Sequence, residues 1–237
     1  MNHVCFRAAF LAALLLAAGP ALSAGSLTPP KIIQTVEPRF PATLEQTAIP
    51  DGEVGVLISL DAGGSLADVL VTDYTHKDFA REAVAVLRQW RFEPARLDGR
   101  AVGTRMAIKF NFSTTTRVVS LTPLDTMSML LRQTGMRPGH NLVCPARELD
   151  RPMTVLHAAT PLHPGPALNI PTGRTLMDFY VDETGRARLP VILQTTHPAF
   201  ANAALRALAD WQFAVPTRHG QPVIVRLQQE FVFVAGS

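Results

Sequence analysis

Seven histidines, two cysteines and two pairs of recurring charged residues are the side chains with which this chain could do chemistry. Zinc would need ligands at short spacings such as H-x3-H, completed by Cys or carboxylate partners. His3, His76, His140, His157, His163, His197 and His219 form no such pair, so no metal and no cofactor are expected. His76 and His197 stand instead where helices begin; a shared metal or pH-sensing role is the alternative. Cys5 precedes an apolar run, which leaves Cys144 as the one thiol beyond it, and one thiol closes no internal disulfide. Gly63–Gly64 is too short to cradle a phosphate, and no G-x-S-x-G, S-x-x-K or paired carboxylate is present. Asp61 and Asp182 fall in turns. Arg105 and Arg226 fall on strands, where a stem lying on the sheet with its charge in water is the default. Contact with the acidic residue or terminus of a peptide is the sharper alternative for both. No enzyme is expected.

These pairs recur because a whole segment does. Residues 50–112 set beside 171–233 without a gap are identical at about a quarter of positions. The matches include Asp61/Asp182, Gly64/Gly185, His76/His197, Phe79/Phe200, Ala83/Ala204, Leu87/Leu208, Trp90/Trp211 and Phe92/Phe213. Gly99/Gly220, Arg105/Arg226, Phe110/Phe231 and Phe112/Phe233 complete the set. In each copy alternating apolar residues, such as Val54, Val56, Ile58 and Leu60, predict a half-buried strand. An Asp-x-x-Gly turn and a second strand follow, near 67–72 and 189–193. Thr75, with Asp78 three residues on, predicts a helix start, and Thr196 with Pro198 in the first turn does the same. Phe79, Ala83, Leu87 and Trp90 lie on one helical face. A closing strand comes last, over 102–112 and 223–234. The recurring residues are those that bury a helix on a sheet. The fold class is therefore α+β: two β-β-α-β units in tandem, each a small antiparallel sheet with one packed helix. Between them, residues 114–158 form a linker with a short helix at 124–133 and a turn-rich stretch at 138–152.

The first residues, MNHVCFRAAFLAALLLAAGPALSAGS, carry one positive charge, an apolar run and small residues near Ser23 and Ala24. That order predicts a cleavable signal peptide over 1–24 and a periplasmic, secreted protein. An uncleaved anchor holding the chain to the inner membrane, facing the periplasm, is the alternative. With a formal net charge of +3 and scattered Lys and Arg, nucleic acid is not an expected partner.

Pro38-Arg39-Phe40-Pro41, the strand, Asp-x-x-Gly, the Phe/Ala/Leu/Trp helix, Phe92-Glu93-Pro94-Ala95, Gly99 and a closing strand ending Phe110-Asn111-Phe112 resemble the TonB C-terminal domain family. The resemblance covers 31–113 well and 159–234 more loosely, where Pro161-Leu162-His163-Pro164 replaces the first motif. It implies a non-catalytic periplasmic protein-binding module that recognises an extended peptide by adding it as a strand to a sheet edge. The implied partner is an outer-membrane transporter or another envelope protein. The implied edge residues are Thr104, Met106, Ile108 and Phe110 in the first copy and Val225, Leu227, Gln229 and Phe231 in the second. Pro38, Phe40 and Pro41 would stiffen the approach to the sheet. A membrane-anchored energy transducer for outer-membrane transport is one alternative function. A structural envelope protein that self-associates, as a homodimer, through its edge strands is the other.

Overall fold

The computed structural model describes residues 26–47, 49–113, 118–122, 140–165 and 170–234. The expected signal peptide at 1–24 and linker helix at 124–133 lie outside them. No helix among the described residues is long and apolar enough to cross a membrane.

The first unit contains β1 (Asp51–Leu60), β2 (Leu66–Tyr74), α1 (Lys77–Leu87) and β3 (Thr104–Ser113). Among the short strands that follow are β4 (Val118–Thr122), β5 (His140–Asn141) and β6 (Val143–Cys144). The second unit contains β7 (Thr172–Val181), β8 (Ala187–Thr195), α2 (Pro198–Ala209) and β9 (Ile224–Val234). Of the two larger sheets, one has the order β5-β2-β1-β3-β4 and the other β6-β9-β7-β8. In both, the first strand of the unit lies at the centre and pairs antiparallel with the second and the last.

Alternation along β1 sends Val54, Val56, Ile58 and Leu60 to one face, where they pack with Phe79, Ala83 and Leu87 of α1 and with Trp90, Phe110 and Phe112. Met177, Phe179 and Val181 meet Phe200, Ala204, Leu208, Phe231 and Phe233 in the same manner. Both turns use their Asp as a backbone acceptor. Asp61 Oδ1 takes the N–H groups of Gly63 and Ser65 at 2.8 Å, and Asp182 Oδ1 takes those of Thr184 and Arg186 at 2.9 and 3.1 Å. Gly64 and Gly185 sit at φ +83 and +78 with a carbonyl of the neighbouring strand where a Cβ would be, so glycine is required at both.

The helix caps differ from expectation. The side chain that accepts the first free N–H is His76, from Asp78 at 3.3 Å, and His197, from Ala199 at 3.2 Å. Thr75 and Thr196 are one residue too early: their hydroxyls accept instead from Glu53 and Arg174, pinning the helix entry to the central strand.

The helix-free faces are not wet. Leu57, Leu70 and Ala107, opposite in parity to the first core, pack against Tyr180, Leu189 and Ile224 of the second sheet, with Leu142 and Val143 at the margin. The two units thus stack as helix, sheet, sheet, helix. Leu142 stitches the seam: its N–H donates to Thr72 O at 2.9 Å on the first sheet, and its C=O accepts from Ile224 N at 2.6 Å on the second.

Candidate functional site

Three of the expected site residues lie along the segment that crosses α1. Pro38 is buried, and Phe40 lies edge-on to Phe79 with ring centroids 5.3 Å apart. The chain around them is strapped over α1: Trp90 Nε1 donates to Val36 O at 2.9 Å, and Arg39 N donates to Glu82 Oε1 at 2.8 Å. Pro41 leads into a 3-10 turn, Ala42–Leu44, whose Leu44 joins the core. Pro38 and Phe40 therefore pack within their own unit, and half-buried Pro41 leads the chain along it. In the second unit Trp211 Nε1 donates to Ala159 O at 2.9 Å, and His163 takes the place of Phe40 against Phe200, at 5.4 Å.

The expected free edge on the first closing strand is corrected by the chain itself. β4 pairs antiparallel along Ala107–Asn111, so Ile108 and Phe110 lie on an inner strand and their side chains are fully buried in the first core. Thr104 and Met106 precede the covered stretch and pair with Leu60 and Ile58 of β1. The sequence gives little warning of this, because the five residues of β4 are separated from β3 by a short polar run that reads as linker.

β9 is different. β6 runs parallel beside it at Ile224 and Val225 alone, so Val225 is covered on its outer side. From Arg226 onward, β7 is the one strand that pairs with β9 among the described residues. Ile224 N–H points outward to Leu142, and the N–H and C=O of one residue in such a strand share a side that alternates with the next residue. Gln228, Glu230 and Val232 therefore direct their main-chain groups outward, while Leu227, Gln229 and Phe231 direct theirs to β7. Their side chains alternate likewise: Phe231 is buried against Trp211 at 5.2 Å, and Val232 is 63% exposed. A shallow cavity of about 120 Å³ lies on the helix-free face over β7 and the end of β8, away from this edge, lined by Arg174, Leu176, Gln194, Thr195 and Thr196, with Glu230 of β9 at its margin.

Charge is concentrated at the seam, not at the edge. Arg105 and Arg226, the recurring pair, converge on one carboxylate. Arg105 Nη2 and Arg226 Nε (the latter at 2.8 Å) donate to the two oxygens of Asp178, which is fully buried. The Arg105 side chain is 7% exposed and lies over the Tyr180 ring, so the expectation of a charge in water fails for it. Beside this, Arg188 Nε donates to Asp68 at 3.0 Å and Arg188 Nη1 to Asp182 at 2.9 Å, and Asp68 holds the guanidinium all the more firmly protonated. Burial pushes the Tyr180 hydroxyl and the Cys144 thiol up, which disfavours the anion of each. Among the described residues no cluster of three His, Cys, Asp or Glu could hold a metal.

Residues 36–114 match the family model of the Gram-negative bacterial TonB protein C-terminal domain. A solution structure of the Pseudomonas aeruginosa TonB C-terminal domain is similar at 22% identity, covering 36% of this chain and 88% of its own, with a TM-score of 0.32. No curated protein matches the chain. That family is periplasmic in Gram-negative bacteria, generally non-enzymatic, and interacts with outer-membrane proteins, so the resemblance supports an envelope protein-interaction module in general. Residues 36–114, a third of the chain, thus carry the match to the TonB C-terminal domain family.

Proposed function

We propose that this is a non-catalytic periplasmic protein, exported by a cleavable N-terminal segment, whose second unit is also TonB C-terminal-like and holds an extended peptide of an envelope partner by strand addition. The observation that carries this reading is the outer edge of β9 beyond Arg226, where Gln228, Glu230 and Val232 present main-chain groups with no strand beside them among the described residues. An extended guest would satisfy those groups, and its alternate side chains would meet Leu227, Gln229 and Phe231 on one face and Glu230 and Val232 on the other. The first unit, with β4 already on its closing strand, serves in this reading as the platform that buries the back of the second.

The test is a titration of the isotope-labelled mature chain with extended peptides from the periplasmic N-termini of outer-membrane transporters. The amides of Gln228, Glu230 and Val232 are expected to move. If no peptide moves them, the reading fails. Gln228→Pro sharpens the test: the lost N–H faces outward, so the β7 ladder keeps its bonds while a guest loses a donor. Binding is expected to fall at least severalfold with the fold intact.

Self-association through the same edge is a second reading, favoured by the exposed Val232 and Val234 beside it. Light scattering on the mature chain, with and without Gln228→Pro, separates the two.

A further inference from the structure

The two units close equivalent strand edges by different means. On β3 a neighbouring strand does it, with β4 paired along Ala107–Asn111. On β9 a single side chain acts: Gln229 Nε2 donates to the main-chain oxygen of Glu230 at 2.7 Å. That oxygen is one of those directed outward, away from β7, by the parity that Ile224 fixes. Gln229 corresponds by repeat position to Ile108, an apolar core residue without an amide to offer. The Gln229 side chain is half-buried on the helix side of the sheet and reaches around the edge to its neighbour's carbonyl.

We infer that Gln229 is a removable cap on the β9 edge, which occupies the central acceptor of the strand track until an incoming backbone N–H replaces it. The inference rests on the strand-addition reading and adds its gate. An exposed strand edge is a template for indiscriminate pairing, and edges are blunted in several ways. A side-chain amide on the middle acceptor is a mild one, since it costs an entering strand one hydrogen bond and is exchanged, not lost. It also selects. A guest must bring an N–H opposite Glu230 O to displace the amide, so a segment with proline there leaves the cap in place and binds weakly. β6 sets the other limit, because it fills the track at Ile224 and Val225 and confines the guest to the stretch beyond Arg226.

The chain supplies a probe. Residues 116–123, sequence TRVVSLTP, contain the β4 strand that pairs with the equivalent edge of the first unit. A synthetic peptide of that sequence is titrated into the isotope-labelled mature chain and into its Gln229→Ala and Gln229→Met variants. Met keeps the length of the side chain and removes the donor without adding charge. On the native chain the Gln229 side-chain amide signals are expected to move together with the main-chain amides of Gln228, Glu230 and Val232. Both variants are expected to bind the probe about three- to tenfold tighter, the worth of one competing hydrogen bond. If the probe moves those main-chain amides but all three proteins bind it within about twofold, the cap is overturned and strand addition stands. If the probe moves none of them in any protein, both the cap and the strand-addition reading are overturned.

Discussion

Glycine at 52 and at 173 is demanded by a phenylalanine, not by a turn. A Cβ built on Gly52 would lie 2.2 Å from the Phe79 ring, and one on Gly173 would lie 2.2 Å from the Phe200 ring. Each aromatic residue of a helix thus presses flat on the start of its central strand. Gly173→Ala should cost about 1–3 kcal/mol in urea unfolding, because neither the ring nor the strand can yield. The repeat shows both glycines, yet their reason is visible only once the helix lies on the sheet. The caps have the same lesson. Thr75 followed by Asp78 reads as a capping pair, and the residue that caps is His76, one position on, because Thr75 is held by Glu53 of the neighbouring strand. Asp73 is a third case, in which burial raises an acid. It pairs with Gly55, and burial pushes its carboxyl above the usual carboxylate range despite the Thr72 hydroxyl bond at 2.9 Å. Folding therefore takes up a proton between the unfolded and the folded pKa, and stability falls as pH rises through that interval. Asp73→Asn, whose side-chain oxygen still accepts from Thr72, should have the higher melting temperature at about pH 7 and match the native chain near about pH 3.

Strands and helices follow the apolar period closely, and their ends are where neighbours intervene. The second strands run one or two residues past the expected stretch at both ends, to Leu66–Tyr74 and Ala187–Thr195, because the central strands continue beside them. What the period does not carry is the second face. Leu57 and Ala107 read as residues on the wet side of half-buried strands, and their apolar character is explained only by Tyr180, Leu189 and Ile224 across the seam. Nor does it carry edge status, since a strand's own residues say little about what lies beside it: β3 and β9 share a repeat position, but β3 is covered along Ala107–Asn111 and β9 only at its first two residues. β8 adds backbone strain to the seam. Leu189 is fully buried at φ +51, a conformation that a Cβ disfavours, and it stands next to Arg188. The twist drives Leu189 into the shared cluster while Arg188 reaches Asp68 and the Val69 carbonyl. Leu189→Ala keeps the strain and removes the contact that offsets it. A loss of about 2–5 kcal/mol is expected, measured by denaturant unfolding.

At the scale of the whole molecule, the question is whether two small units behave as one. Each has its own aromatic core, and the seam between the helix-free faces joins a smaller apolar cluster to a polar centre. That centre is asymmetric in an informative way. Arg105 and Arg226 are the same residue of the repeat, but a carboxylate stands on the second sheet at Asp178, where the first sheet has Leu57. One copy thus supplies a guanidinium from across the seam and the other supplies both guanidinium and acceptor, which no inspection of either copy alone reveals. Burying these charges is costly, and the arrangement stabilises only while the partners stay together. Nε and Nη1 of Arg105 are already buried without a partner, so the bond to Asp178 is what keeps this side chain tolerable in the interior. Asp178→Asn keeps the shape and removes the charge, leaving two guanidinium groups beside a neutral amide. It should cost about 3–5 kcal/mol, read by urea unfolding followed at Trp90 and Trp211, one tryptophan in each core. In the native chain both probes should report a single transition. In the variant the first unit, with five strands, should outlast the second, and the two curves should separate. Coincident curves in the variant would mean that the stitch at Leu142 and the apolar seam hold the units together without the ionic centre, and that the arginines are tolerated there, not needed.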